Sequence, residues 1–149
     1  MAELSPLMLG LIESGTDVSI VVTGNSMRPL WHSRRDTVVL TGCDPLSLKK
    51  GQIPLYLREN GQFVLHRIVK VHNDCYDMAG DHQTEIERAV PKQKVLCVVK
   101  AYTRNGKFHT CDDLGFRLYS FLWRIALPFR GAVFAVYRFL RNIFRIGKK

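Results

Sequence analysis

Two Asn-Gly pairs, each set between runs of β-type residues, constrain the fold of this chain most strongly. Asn60-Gly61 separates "QIPLYLRE" from "QFVLHRIVKV", and Asn105-Gly106 separates "KVLCVVKAYTR" from "KFH". Asn and Gly supply the positive backbone angles that a tight hairpin turn needs. The pairs therefore predict two antiparallel hairpins, and Pro54 predicts an edge strand or the start of a strand.

Further β-type runs extend this pattern from about residue 18 to residue 109. They include "DVSIVVTG", "DTVVL", "QFVLHRIVKVH" and "CYDMAG". Short strands bounded by turn residues predict a mostly β domain of antiparallel strands. Before them, apolar residues at helical spacing predict a short helix over 3–14 that ends near Gly15. A chain of 149 residues suits one such domain with an appendage.

The segment 114–149 differs in composition from residues 1–113. It contains eight basic residues and no acidic one, so most of the net charge of +9 lies in this segment. Its arginines and its broad apolar face separate onto different sides of two helices that join near Pro128. This pattern is typical of helices in a membrane interface, with Trp123 and the arginines at the headgroups. Packing of the apolar face on the β domain or on a partner is the alternative.

The remaining composition argues against several classes of protein. The four cysteines show no CxxC pair and no zinc-ligand spacing, which favours free thiols in a reducing compartment. The histidines share no paired spacing with acids or cysteines, so we expect no metal site and no cofactor. No segment reaches the roughly 18 apolar residues of a membrane span, and no signal peptide is visible. We therefore expect the C-terminal helices to attach the protein to the cytoplasmic face, and their insertion as a hairpin is the alternative. Nucleic acid is not an expected partner, because it would leave the apolar face unused.

The stretch "VVTGNSMRPL" ends a β-type run in an unusual turn. Gly24 and Asn25 tolerate backbone angles that other residues avoid, and Pro29 fixes its own φ. We therefore expect Ser26 on a rigid turn at the end of a strand, with Met27 anchoring that turn. A serine hydroxyl in such a place becomes a nucleophile only when a base takes its proton.

His66 is the candidate base for Ser26. In "FVLHRIV" it lies between the apolar residues Val64 and Ile68 on one face of a single strand. A polar residue on such a face indicates a specific structural or catalytic role. Its imidazole could take the Ser26 proton near neutral pH, so activity would rise around pH 6 to 7.5. Taken alone, each residue is more commonly structural. Lys49 and Lys50 are alternative bases, but lysines in a polar loop stay charged.

Five strings of this sequence, in order, resemble the motifs of the type I signal peptidase family. They are "GNSMRP", "DTVVL", "LKKGQIPLY", "FVLHRIV" and "AGDH". They also resemble the wider group of serine peptidases that includes the LexA-like self-cleaving repressors. The resemblance covers about residues 18–100 and implies a β-rich signal-peptidase fold. His66-Arg67 stands where bacterial members have lysine-arginine, as in the archaeal and endoplasmic-reticulum branch.

The resemblance also implies roles for individual residues. Ser26 would be the nucleophile, His66 the general base and Arg67 a structural residue. Asp81 in "AGDH" matches the family's Gly-Asp motif and would orient the imidazole. That branch often has a second aspartate shortly afterwards, so Glu85 or Glu87 could take this role instead.

The turn around the nucleophile would supply backbone groups. The family often has a serine where this chain has Gly24, so the oxyanion would be bound by backbone N–H groups, notably that of Ser26. Gly24 and Asn25 would shape this part of the site. Met27 and Pro29 would be structural or would contact the substrate.

The implied function is a serine endopeptidase that cleaves a leader or signal segment from a protein substrate. The substrate would bind as an extended strand, and residues 114–149 would hold the enzyme on an anionic membrane surface. One alternative is a LexA-like self-cleaving regulator, for which the segment before Ser26 leaves no room for a helix-turn-helix. The other is a non-catalytic lipid- or partner-binding module of the same fold.

Overall fold

The computed structural model of this chain describes residues 6–132 and 134–136, which form a mostly antiparallel β structure. The predicted fold class is confirmed at this level. The strands, in chain order, are β1 (Val18–Val21), β2 (Thr37–Thr41), β3 (Pro54–Leu57), β4 (Phe63–Leu65), β5 (Arg67–Val71), β6 (Cys75–Ala79), β7 (Glu87–Pro91), β8 (Val95–Arg104) and β9 (Lys107–Thr110). Two α-helices flank them, α1 (Pro6–Glu13) and α2 (Leu114–Ile125).

The strands form two sheets. The larger sheet has the order β1-β2-β8-β3-β4, with β9 paired to β8, and it curls into a half barrel. The smaller sheet has the order β5-β6-β7. Among the described strands, β1 pairs with β2 alone and β4 pairs with β3 alone. Each of these two strands therefore keeps one edge free for pairing with another extended segment.

Both predicted hairpins are present, but their turns differ. Asn105 and Gly106 both have positive φ, at 50° and 76°, and they join β8 to β9 as a two-residue turn. In the other hairpin Gly61 has a φ of 78°, and Asn60 is not among the residues with positive φ. There the connection between β3 and β4 spans residues 58–62, and this length sets the register of the pair.

The predicted single strand "QFVLHRIVKVH" is wrong, because the chain changes sheet at His66. Residues before His66 form β4, which pairs with β3 in the larger sheet. Residues after it form β5, which pairs with β6 in the smaller sheet. His66 lies at the junction and is only 2% exposed. The predicted strand start at Pro54 is confirmed, and β7 is a strand that the pattern did not predict.

Two apolar clusters hold these layers together. The larger cluster includes side chains from α1, the larger sheet and α2, among them Ile12, Trp31, Val38, Leu55 and Phe116. The smaller cluster joins the two sheets and includes Tyr56, Ile68, Tyr76, Met78 and Val98. The helix predicted over 3–14 is confirmed within the described residues, since α1 contributes Ile12 to the larger cluster.

The first of the two C-terminal helices packs on the β strands through one face. Phe116 and Ser120 of α2 are buried, and Trp123, one turn further on, donates from Nε1 to the Asp81 carbonyl at 2.9 Å. Past α2, the buried Arg130 donates from Nη1 to the Gly80 carbonyl at 2.9 Å. Trp123 Nε1 and Arg130 Nη1 therefore both donate to the backbone around the loop after β6, which holds these two side chains against the β strands.

The opposite face of α2 is exposed to solvent. Its large apolar side chains are between 52% and 80% exposed, and they are Leu114, Leu118, Phe121, Leu122 and Ile125. We call these five residues the exposed stripe. None of the helices in the described part of the chain is long and apolar enough to span a membrane. The predicted boundary at residue 113 stays a prediction, and the tail residues 133 and 137–149 lie outside the described residues.

Candidate active site

Ser26 lies in the turn that follows β1 and is half-buried. Gly24 in this turn has a φ of 94°, a left-handed conformation that favours glycine. The Ser26 carbonyl accepts a hydrogen bond of 2.7 Å from the His82 N–H, which ties the turn to the loop after β6. The Ser26 hydroxyl has no hydrogen-bond partner among the described residues and lines a cleft.

Gly80 packs directly against this turn. A Cβ atom on Gly80 would lie 2.7 Å from the Ser26 carbonyl oxygen and 2.8 Å from Gln83 Oε1. The Gly80 carbonyl accepts from Arg130, which also donates to the Trp123 carbonyl at 2.8 Å. Gly80 is thus required for the close approach of the two backbones. The C-terminal helical segment, through Arg130, binds the loop after β6, and that loop in turn binds the Ser26 carbonyl.

Ser26 and His66 line the same cleft, which has a volume of about 200 Å³. The cleft lies between β1 with its following turn on one side and β4 on the other, and Ile20, Leu55 and Leu65 contribute its apolar lining. No hydrogen bond joins the Ser26 and His66 side chains in the structure. Catalytic hydrogen bonds are often long before a substrate binds, and close only in the complex.

The His66 ring is oriented by a chain of two hydrogen bonds. Tyr56 Oη donates to Glu87 Oε2 at 2.6 Å and lies 3.1 Å from His66 Nδ1. A phenol has one O–H, and Tyr56 donates it in the hydrogen bond to Glu87. Tyr56 Oη is therefore the acceptor in its contact with His66, and His66 Nδ1–H is the donor. The proton of the neutral ring is therefore on Nδ1. His66 Nε2 keeps its lone pair and, among the described residues, has no hydrogen-bond partner.

The surroundings of His66 keep it neutral. Burial, together with the positive charge of Arg58, lowers the pKa of His66 to about 4, although Glu87 and Asp81 act in the opposite direction. The imidazole is therefore an unprotonated base at neutral pH. This pKa lies below the range of pH 6 to 7.5 in which the sequence predicts activity to rise, because the strand pattern did not reveal how deeply the ring is buried.

Glu87 is the carboxylate nearest to the ring, with Oε2 3.7 Å from His66 Nδ1. Burial raises the pKa of Glu87, but hydrogen bonds from Arg58 and Tyr56 outweigh it and hold the pKa below its usual value. Arg58 donates from Nη2 to Oε2 at 2.6 Å and from Nε to Oε1 at 3.0 Å. Glu87 is therefore ionised at neutral pH and lies on the Nδ1 side of the ring, where its negative charge would stabilise an imidazolium.

Asp81, the acid that the Gly-Asp motif proposes for His66, is engaged elsewhere. Its two carboxylate oxygens accept from Arg67 at 2.8 and 2.7 Å, and Tyr119 donates to one of them at 3.0 Å. Arg67 also donates to the Gly51 carbonyl and to the Ser120 hydroxyl. In place of the expected contact from Asp81, His66 contacts Tyr56 and, through it, Glu87.

The other predicted site residues lie around the turn. Met27 is buried in the larger apolar cluster, whereas Asn25 and Pro29 are exposed. The Ser26 N–H has no hydrogen-bond partner among the described residues, so it is free to bind an oxyanion. Glu85, the other alternative acid, is exposed to solvent. No cluster of three or more metal-binding side chains occurs in the part of the chain that the structure describes.

Sequence reasoning missed Tyr56 and Arg58. A signal for them existed, because "PLYLR" forms the first strand of the hairpin whose second strand leads into His66. Tyr56 pairs with Val64 across the hairpin, and His66 follows Val64 by two residues, so Tyr56 lies diagonally across from His66. The pairing register was needed to see this, and the Asn-Gly signal alone does not supply it.

Comparisons with protein-family models, with curated proteins and with solved structures each find no match for this chain. Its function is therefore inferred from its own residues. Those residues are a half-buried serine, a neutral histidine in the same cleft, and a tyrosine-glutamate pair behind the histidine.

Proposed function

We propose that this protein is a serine endopeptidase of the signal-peptidase type, with Ser26 as nucleophile and His66 as general base. One observation carries the proposal. His66 shares a cleft with Ser26, and its Nδ1–H is held by Tyr56 and Glu87, which leaves Nε2 free to accept a proton. A structural histidine would use both ring nitrogens in hydrogen bonds within the protein. His66 instead has a fixed tautomer whose Nε2 has no partner among the described residues.

The proposed reaction follows from this arrangement. Ser26 Oγ attacks the carbonyl carbon of the scissile bond while its proton passes to His66 Nε2. The imidazolium is stabilised by the Tyr56 hydroxyl and the Glu87 carboxylate, and the oxyanion by the Ser26 N–H. Nε2 then returns the proton to the leaving amine as the C–N bond breaks. Water, deprotonated in the same way, hydrolyses the acyl-enzyme.

The substrate class follows from the walls of the cleft. Among the described strands, β1 and β4 each have one unpaired edge, and residues of both line the cleft, so an extended peptide segment can hydrogen-bond to one or both strands. The lining by Ile20, Leu55 and Leu65 and the volume of about 200 Å³ suit small apolar side chains. These features, with the resemblance to signal peptidases, support a leader or signal segment as the substrate.

We also propose that the protein works on an anionic membrane surface at the cytoplasmic face of the cell membrane. The exposed stripe of α2 supports this, because five large apolar side chains on one helix face are each more than half exposed. The four cysteines are free, which is compatible with a reducing compartment.

A serine-directed fluorophosphonate probe tests the peptidase proposal on the full chain. We expect covalent labelling of the natural protein and of Ser47→Ala, whose exposed serine lies in a loop away from the cleft. Ser26→Ala should not be labelled, and His66→Gln should be labelled more slowly. Equal labelling of the natural protein and Ser26→Ala would refute the assignment of the nucleophile. Complete absence of labelling in the folded natural protein would favour the non-catalytic alternative.

A further inference from the structure

A second, larger concavity shares no lining residue with the cleft of the proposed active site, and its lining includes Gly51 and Ser120, which accept from Arg67. It is a groove of about 810 Å³ between residues 49–53, β8 and α2. Five basic side chains and one acidic side chain line it, namely Lys49, Lys50, Lys100, Arg117, Arg124 and Asp112. Nothing in the proposed peptidase reaction uses these residues.

Most of the positive charge in this groove is not neutralised. Lys100 pairs with Asp17 at 2.5 Å. Lys49, Lys50, Arg117 and Arg124 form no ion pair with an acid of the described residues, so four unpaired cations face one carboxylate. Cations that converge on one groove without acids repel one another, and an anionic ligand relieves this repulsion.

The position of the arginines on α2 connects the groove to the exposed stripe. Arg117 and Arg124 are seven residues apart and so share one side of the helix. That side lies between the buried face, which carries Phe116 and Ser120, and the exposed stripe. Phe121 belongs to both the stripe and the groove lining. The groove therefore opens where the helix changes from basic to apolar.

We propose that this groove binds the phosphate-containing headgroup of an anionic phospholipid while the exposed stripe enters the acyl region. Arginines and lysines are the side chains that bind phosphate oxygens, Arg through its planar guanidinium and Lys as a point charge. The adjoining exposed stripe favours a phospholipid over other sources of phosphate, because a free phosphate or a nucleic acid would leave the stripe in water. This inference deepens the proposed membrane association and is independent of the peptidase chemistry.

Binding to lipid vesicles tests the inference on the full chain. The probe is co-sedimentation with phosphatidylcholine vesicles that contain or lack phosphatidylglycerol. Each basic residue near an anionic surface contributes about 1 kcal/mol, so Lys49→Gln with Lys50→Gln should weaken binding to the anionic vesicles on the order of 25-fold. The matched control is Lys70→Gln with Lys107→Gln, two exposed lysines on β5 and β9 away from the groove, and it should change binding less than twofold.

The remaining outcomes separate the alternatives. Equal weakening by both double variants would overturn the groove as a site and leave only diffuse charge attraction. Binding of inorganic phosphate without binding to vesicles would assign the groove to a free anion and overturn the lipid source. Tighter binding of an oligonucleotide, lost in the Lys49 and Lys50 variant, would assign the groove to nucleic acid. Fluorophosphonate labelling of Ser26 in the same variants is expected to be unchanged, so failure here is distinct from failure of the peptidase proposal.

Discussion

Arg67 and Asp81 form a fully buried, bidentate ion pair between β5 and the loop after β6. Arg67 Nε lies 2.8 Å from Asp81 Oδ1, and Arg67 Nη2 lies 2.7 Å from Asp81 Oδ2. Both side chains are 0% exposed. The loop that Asp81 begins continues to His82, whose N–H holds the Ser26 carbonyl. The pair therefore joins the smaller sheet to the turn of the proposed nucleophile.

Replacing Asp81 by Asn should act on stability more than on chemistry. The change leaves the Arg67 charge buried without its counter-ion, and breaking a buried pair costs about 3–5 kcal/mol. We expect the free energy of unfolding, measured by urea titration, to fall by that amount. Asp44→Asn, at an exposed turn position, should change it by less than about 0.5 kcal/mol. Unchanged stability with loss of probe labelling would instead give Asp81 a direct catalytic role.

Removing the Tyr56 hydroxyl should slow the proposed reaction without preventing binding. Tyr56→Phe leaves His66 Nδ1–H without its acceptor and separates the ring from Glu87, so the tautomer with a free Nε2 is no longer favoured. We expect the rate of probe labelling to fall by about 10²-fold or more. Tyr102→Phe, which removes a hydroxyl remote from the cleft, should label at the natural rate. A natural rate in folded Tyr56→Phe would show that this hydrogen-bond chain has no catalytic part.

The pH dependence of labelling should report the lowered pKa of His66. Because burial and Arg58 lower that pKa to about 4, the neutral base predominates at every pH above 4, and activity should be lost only on acidification through about pH 4. Arg58→Gln removes a positive charge that disfavours the imidazolium, so its midpoint should move to higher pH. A natural midpoint near 6.5 would mean that His66 is solvated in the working enzyme, and one above about pH 9 would indicate a lysine base.

Two substitutions on α2 should separate its buried and exposed faces. Phe116 is 7% exposed within the larger apolar cluster, and truncation of a buried Phe to Ala costs about 3–5 kcal/mol. Leu118, two residues later, is 59% exposed, and Leu118→Ala should cost less than about 0.5 kcal/mol. Urea unfolding measures both. Similar small losses would show that α2 is a separable appendage, and the natural β domain should then survive truncation after Asp113.

The variants Phe116→Ala and Leu118→Ala also test whether the exposed face of α2 binds membranes. We expect Leu118→Ala to weaken binding to anionic vesicles, because it removes apolar area from the exposed stripe. Phe116→Ala, where it stays folded, should bind vesicles as the natural chain does. Salt should weaken binding only in part, since it screens the basic groove but not the apolar contact.

Local signals in the sequence were enough to determine much of this protein. The Asn-Gly pairs specify both hairpins, because their backbone preferences act within a few residues and need no tertiary contact. Gly24 and Pro29 likewise determine a bent turn at the end of β1, with Ser26 inside it and Met27 as its apolar anchor. The mostly β class follows from the same local patterns.

Tertiary structure alone decided which acid lies next to His66 and which face of α2 is buried. Tyr56 and Glu87 are 31 residues apart in the chain, and only the packing of one sheet on the other brings their oxygens to 2.6 Å. Asp81 precedes Glu87 in sequence and matches the Gly-Asp motif, but it forms an ion pair with the buried Arg67. This pairing is favoured because an unpaired guanidinium in the core costs free energy. On α2 both faces are apolar, so periodicity could not choose between them. The choice came from Phe116, which packs into the larger apolar cluster, and from Ser120, which accepts from the buried Arg67, and local sequence encodes neither contact.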